Sequence, residues 1–224
     1  MSTDSQLLVN EIFYSIQGEG TRAGLPCVFV RLTGCPLRCS WCDTAYAFTE
    51  GQWMTLDEIV EQVRAFGCPM VELTGGEPLA QQYVYVLLDR LLAEFPTVLL
   101  ETSGAINIAR VDPRVVRIVD VKCPSSGEAE RNDWSNVDLL TPRDEIKFVI
   151  GTQADYEWAR ECVREHDLTS RCPVLMSPVM VLADGGSSGL APADLAAWIL
   201  RDRLNVRLSL QLHKILWPGE TRGV

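Results

Sequence analysis

Strand-length apolar runs recur along this chain, and almost every one stops at a short polar, glycine- or proline-bearing signal. Between them lie helix-length segments with apolar residues at three- and four-residue spacing. Such alternation predicts an α/β fold of parallel strands joined by crossovers, because parallel neighbours must be connected over a face of the sheet. Six runs make the expected core: Cys27–Leu32, Met70–Thr74, Thr97–Thr102, Val115–Val121, Glu145–Ile150 and Pro173–Met176. A further strand is expected near Leu7–Phe13 and a last one over Val206–Gln211. Thr55 and Glu58 form a capping box ahead of a helical face made by Leu56, Ile59, Val60, Val63 and Phe66. A second helix is expected over Gln82–Glu94, and Thr152 caps a third that carries Trp158, Ala159, Cys162 and Val163. Asp184–Gly189 reads as a flexible loop, and Pro192 suits the first turn of a helix through Trp198 and Ile199.

In β/α barrels the working site is built from the carboxyl ends of the strands, where the polar signals of this sequence fall. A full eight-fold barrel takes ~250 residues. At 224 residues the expectation is one domain over 1–224, an open, partial (β/α)6-type TIM barrel.

Composition removes several classes of function. With 47% hydrophobic and 22% charged residues the chain resembles an ordinary globular protein. No stretch approaches the ~18 uninterrupted apolar residues of a membrane span. The opening Met1–Gln6 lacks the basic and apolar regions of a secretory signal, so a cytoplasmic location is expected. A formal charge of −10, without a dense Lys/Arg cluster, argues against nucleic acid as a partner.

The eight cysteines divide into a cluster and a scatter. Cys35, Cys39 and Cys42 share the loop Gly34–Thr44 (GCPLRCSWCDT), directly after the first core strand. Cys27, Cys68, Cys123, Cys162 and Cys172 stand apart, as buried thiols do. The C-x3-C-x2-C spacing supplies three thiolates, where a closed zinc site takes four ligands and a ferredoxin-type carrier four cysteines per cluster. Three suit a [4Fe–4S] cube with one iron left open. A structural zinc site completed by Cys27 or a distant residue is the rival reading. Thr74-Gly75-Gly76-Glu77-Pro78 follows the second core strand, where the other half of an open-iron site would lie; a plain strand-to-helix turn is its alternative.

With Trp41 just before its last cysteine, the cysteine loop resembles the signature of the radical S-adenosylmethionine (SAM) superfamily, and Thr74–Pro78 resembles its second motif. Glu11–Gly20 (EIFYSIQGEG), Val28–Cys35 (VFVRLTGC), Cys42-Asp43-Thr44, Glu101–Gly104 (ETSG) and Leu208–Lys214 (LSLQLHK) narrow the resemblance to the 7-carboxy-7-deazaguanine synthase family. It spans nearly the whole chain.

That resemblance implies the partial barrel of the superfamily and a reaction: 6-carboxy-5,6,7,8-tetrahydropterin is contracted to 7-carboxy-7-deazaguanine with release of ammonia, on the way to queuosine-type bases. SAM cleaved at a reduced [4Fe–4S] cluster gives a radical that takes hydrogen from C6 of the pterin, and SAM is later regenerated. By position, Cys35, Cys39 and Cys42 would hold the cluster and Thr44 would bind Mg²⁺, a hard ion that prefers oxygen. Trp41, Gly76, Asp120, Val121, Lys122, Ser177, Pro178, Val179 and Met180 fall where the family contacts SAM. The bare Gly75 and Gly76 would let backbone groups approach the amino group of that ligand. Ile16, Gln17, Gly18, Arg31, Thr74 and Pro218 fall at substrate positions, and the planar fork of Arg31 suits a carboxylate. An ion pair within the strand is the competing account of Arg31. His213 is a further candidate for orienting the substrate. The resemblance also implies a homodimer and an external reductant such as flavodoxin. The competing classes are a glycyl-radical activating enzyme, which shares the cysteine loop but acts on a protein, and a cluster- or zinc-binding interaction protein.

Overall fold

Charges placed at alternate positions of otherwise apolar strands shape the architecture, because they must face something other than the hydrophobic core. The computed structural model describes residues 5–180 and 189–224, so most of the Asp184–Gly189 loop lies outside the described residues. Its strands are β1 (Gln6–Ile16), β2 (Pro26–Leu32), β3 (Gln52–Thr55), β4 (Met70–Gly75), β5 (Thr97–Thr102), β6 (Val116–Val121), β7 (Glu145–Ile150), β8 (Val174–Pro178) and β9 (Arg207–Leu208). They form one sheet in the order β3-β1-β2-β4-β5-β6-β7-β8-β9. From β2 through β9 every pairing is parallel, whereas β1 runs antiparallel to both β2 and β3. This is an open, partial barrel, with six full parallel strands and a short seventh.

Register puts the charged side chains at matching heights. Arg31 pairs with Thr74 across β2 and β4, and Asp120 pairs with Lys147 across β6 and β7. Val71 and Leu73, one position out of phase with Glu72, join the apolar core, and the two faces of β4 therefore do different work.

The helices are α1 (Leu56–Ala65), α2 (Val84–Glu94), α3 (Gln153–Glu165), α4 (Leu168–Arg171), α5 (Pro192–Asp202) and α6 (Leu212–Leu216). The capping box of α1 is present: the Thr55 hydroxyl accepts from the Glu58 amide at 3.2 Å, and the Glu58 carboxylate accepts from the Thr55 amide at 2.8 Å. Leu56, Ile59, Val60 and Val63 are buried, but Phe66 lies past the helix end, exposed and stacked on Tyr14. Thr152 caps α3 and Pro192 opens α5, as their positions predict.

Two boundaries and the connections around β6 depart most from expectation. α2 starts at Val84, because Pro78–Ala80 forms a 3-10 turn and Gln81 instead bonds both backbone groups of Leu8. The strand expected over Val206–Gln211 shrinks to Arg207–Leu208, since the Gln211 side chain turns toward Glu19. Among the described residues, β5–β6 and β6–β7 are joined without an α-helix, the second through 3-10 turns at Pro124–Ser126, Ala129–Arg131 and Trp134–Leu139. No helix of the described residues is long and apolar enough to cross a membrane.

Candidate active site

The inward faces of the parallel strands enclose a cavity of about 220 Å³. Its wall carries Arg31 from β2, Glu72 and Thr74 from β4, Glu101 from β5, Asp120 from β6, and Glu145 and Lys147 from β7. The cysteine loop closes one side and the loop after β1 another.

The cysteine loop is anchored from outside itself. The Ser40 amide donates to the Ser126 carbonyl at 3.0 Å, its hydroxyl donates to the Ser125 carbonyl at 2.8 Å, and the Arg38 amide reaches Glu128 at 2.6 Å. Gly75 and Gly76 hold the neighbouring strand end against it. A Cβ on Gly76 would sit 2.3 Å from the Gly34 carbonyl oxygen, and one on Gly75 would sit 2.2 Å from that of Leu32. Chain-to-chain approach by itself requires both glycines, and both also line the cavity. Glu77 finishes the junction: fully buried, it accepts from the Leu79 amide, the Thr102 hydroxyl, and the amide and hydroxyl of Ser103, at 2.5–2.9 Å.

The charged side chains form one network. Lys147 is buried and bonds Glu101, Glu19 at 3.0 Å and, more distantly, Asp120 at 3.6 Å. Burial alone would lower its pKa, but these carboxylates hold it well above the usual range. Burial likewise opposes ionisation of Glu101, and Lys147 with the Thr74 hydroxyl overcomes it, keeping that carboxylate ionised. Glu72 is the exception: burial, then the Glu101 charge, pushes it well above the usual carboxylate range. Glu145 accepts from the Thr21 amide at 3.1 Å and from Arg22 at 3.1 Å, which ties the loop after β1 to β7.

The same loop is stitched to the segment after β9. The Leu212 amide donates to the Gly18 carbonyl at 2.9 Å, the Gly20 amide to the Ser209 hydroxyl at 3.3 Å, and the Gln211 side chain to Glu19 at 3.0 Å. His213 packs so closely on Gly18 that a Cβ there would meet its Nδ1 at 2.1 Å. Burial draws the pKa of His213 below its usual value.

A family model described as Radical SAM superfamily matches residues 29–167. The 7-carboxy-7-deazaguanine synthase of Chlorobaculum tepidum is 48% identical over the whole of both chains. That of Koribacter versatilis is 48% identical across 96% of this chain and 99% of its own. This chain belongs to the 7-carboxy-7-deazaguanine synthase family. QueE from Escherichia coli shares the fold at a TM-score of 0.73, with 25% identity over 93% of this chain and 95% of its own.

The residues that family membership singles out come together, with four exceptions. Ile16, Gln17, Gly18, Arg31, Cys35, Cys39, Trp41, Cys42, Thr44, Thr74, Gly76, Asp120, Lys122, Val179 and Met180 all line the cavity. Val121, Ser177 and Pro178 do not: Val121 faces the apolar core, and Ser177 and Pro178 are buried in β8. Pro218 is exposed and off the wall, because the chain turns away there and returns later. Val224 lines the cavity in its place, with Arg222 paired to Glu50 at 2.6 Å and the Gly223 amide on Glu11 at 3.1 Å. Glu19, Glu72, Glu101, Glu145 and Lys147 escaped the sequence-level site. Four of them share one signal, a charge inside a largely buried strand, as in Glu145-Ile146-Lys147, whereas Glu19 lies in the loop after β1.

Donor chemistry fits the family's cofactors. All eight cysteines are free, and Cys27 is fully buried in β2, away from the cavity, so it supplies no fourth thiolate for zinc. Among the described residues no group of His, Cys, Asp or Glu is arranged to hold a single metal ion. A cube differs in that each thiolate takes its own iron, so its ligands do not converge on one point. Burial pushes the Cys39 thiol up to about 11 against the pull of Lys122, so cluster binding must displace protons there. Asp120 Oδ1 and Ser177 Oγ are buried without a hydrogen-bond partner among the described residues. On Asp120 that leaves an open acceptor beside the oxygen held by Lys122 at 2.9 Å, suited to an ammonium or hydroxyl donor. The described partner of the Thr44 hydroxyl is only the Cys42 sulfur at 3.8 Å, which leaves its oxygen available to a hard cation.

Proposed function

We propose that this chain converts 6-carboxy-5,6,7,8-tetrahydropterin to 7-carboxy-7-deazaguanine and ammonia, a radical SAM lyase step in queuosine biosynthesis. One observation carries the reading: a single cavity holds three free thiols and a ring of inward charges, in a chain 48% identical end to end to a protein of that name. Cys35, Cys39 and Cys42 would hold the cluster, which with SAM would supply the radical that abstracts hydrogen from C6.

The remaining work falls to side chains. Arg31 Nε pairs with Glu11 at 2.8 Å, and Tyr46 donates to the same oxygen at 3.0 Å, which fixes the guanidinium plane. Among the described residues its terminal nitrogens donate no hydrogen bond, which supports a role for the free edge of the fork on the substrate carboxylate while the ion pair orients it. Glu19 and Glu101, pinned by Lys147, accept from the N–H groups of the aminopyrimidinone ring. His213 bears on the loop that carries Gly18. Thr44 would offer Mg²⁺ one oxygen ligand, its hydroxyl having no described partner but the Cys42 sulfur at 3.8 Å.

On this reading residues 1–224 act as one cytoplasmic domain, supported by the single continuous sheet. The exposed apolar Tyr14, Leu25 and Phe66 support a homodimer. Electrons come from an external reductant such as flavodoxin. Anaerobic reconstitution with iron and sulfide, followed by pterin, SAM and dithionite, is expected to yield the deazapurine and ammonia. SAM cleavage without any deazapurine would defeat the assignment.

A further inference from the structure

Gln17 falls in the proposed substrate segment, and each end of its amide already makes one hydrogen bond inside the protein. Its Nε2 donates to Glu72 Oε2, and its Oε1 accepts from the Glu19 amide at 3.0 Å. Glu19 in turn carries the bonds to Lys147 and Gln211, each 3.0 Å. Glu72 therefore stands at the root of a chain of contacts that ends at a carboxylate in the cavity. The Gln17 amide is held at both ends: the Glu19 N–H, a donor only, takes its oxygen, which turns its nitrogen to Glu72. The position is also costly, since Glu72 is 4% exposed and sits in the middle of an otherwise apolar strand.

We propose that Glu72 is a positioning residue, which acts through Gln17 to hold the Gln17–Gly20 loop so that Glu19 meets the substrate. The groups that face it explain how it does so without adding to the negative charge of the cavity. They are Glu101 on β5, Lys147 and Glu145 on β7, Glu19 from the loop after β1, and Cys27 on β2. One lysine among these carboxylates is already shared between Glu101 and Glu19. Burial, then the Glu101 charge, raises the pKa of Glu72 and so favours the neutral acid, whose carbonyl oxygen still accepts from Gln17.

The test compares Glu72→Val with Glu72→Gln in the full reconstituted enzyme. Valine fits a buried strand but leaves the Gln17 nitrogen unpaired; glutamine restores an acceptor without a charge. With valine, KM for the pterin is expected to rise about tenfold, with a smaller change in kcat. Glutamine should recover most of that loss. Amide exchange over residues 17–25 should speed up with valine and return toward the parent rate with glutamine. In the infrared, the parent should show the carbonyl band of a protonated carboxyl that both variants lack. Unchanged exchange with valine, glutamine as impaired as valine, or no such band would each overturn the proposal. The KM measurement rests on the pterin reaction proposed above, whereas exchange and infrared need no turnover. A parent enzyme inert toward the pterin therefore counts against the function and leaves Glu72 to be decided by the other two.

Discussion

Glu77 shows how much of this molecule's chemistry depends on a residue that performs none. The resemblance placed its motif at the cofactor, but the carboxylate points the other way and ties the end of β4 to Thr102 and Ser103 at the end of β5. Glu77→Leu would strand those buried donors, and a loss of about 3–5 kcal/mol is expected in urea unfolding of the cluster-free protein. A loss below about 1 kcal/mol would show that the junction is held otherwise. Residues that do act are tested by chemistry instead. Cys39→Ala removes one corner of the cluster, and SAM cleavage should vanish with it; full cleavage by this variant would rule out Cys39 as a ligand. Thr44→Val keeps the size but removes the hydroxyl. It should abolish Mg²⁺ stimulation of turnover while iron content stays at the parental level, and persisting stimulation would exclude Thr44.

At the scale of elements, the sequence exposed what is local and concealed what is shared. The cysteine loop, the Thr55–Glu58 box and the six core strands could be read directly, because each signal lies within a few adjacent residues. The charged ring could not: Arg31, Glu72, Glu101, Asp120 and Lys147 come from five different strands and become neighbours only once the register is set. The ends of elements were also hidden where a side chain captures the backbone, as Gln81 does ahead of α2. Packing between elements makes its own prediction. Gly76→Ala would drive a methyl into the Gly34 carbonyl at the base of the cysteine loop. The variant should fold, yet bind less iron and sulfide per chain and melt earlier. Parental iron content would show that the loop yields freely.

At the scale of the whole molecule, the buried charges couple stability to pH. Glu72 has a folded-state pKa above its ordinary value of 4.5, so the folded protein holds a proton that the unfolded chain releases. Its contribution is fully present below about pH 4.5 and is lost as pH rises through the elevated value. Glu72→Gln has no such proton to lose, so its stability relative to the parent should grow as pH is raised from 4.5. Urea midpoints measured across that range decide the matter; parallel curves for the two proteins would mean that Glu72 ionises normally.

The stitching between the loop after β1 and the segment after β9 has a consequence for the cavity wall. Backbone ladders part only by unzipping, but this seam relies on Gly18, Gly20 and Glu19 meeting Leu212, Ser209 and Gln211. It can yield while every strand keeps its partners. A change at any one of these three contacts would therefore slacken the cavity wall here and leave the ladder of the sheet intact.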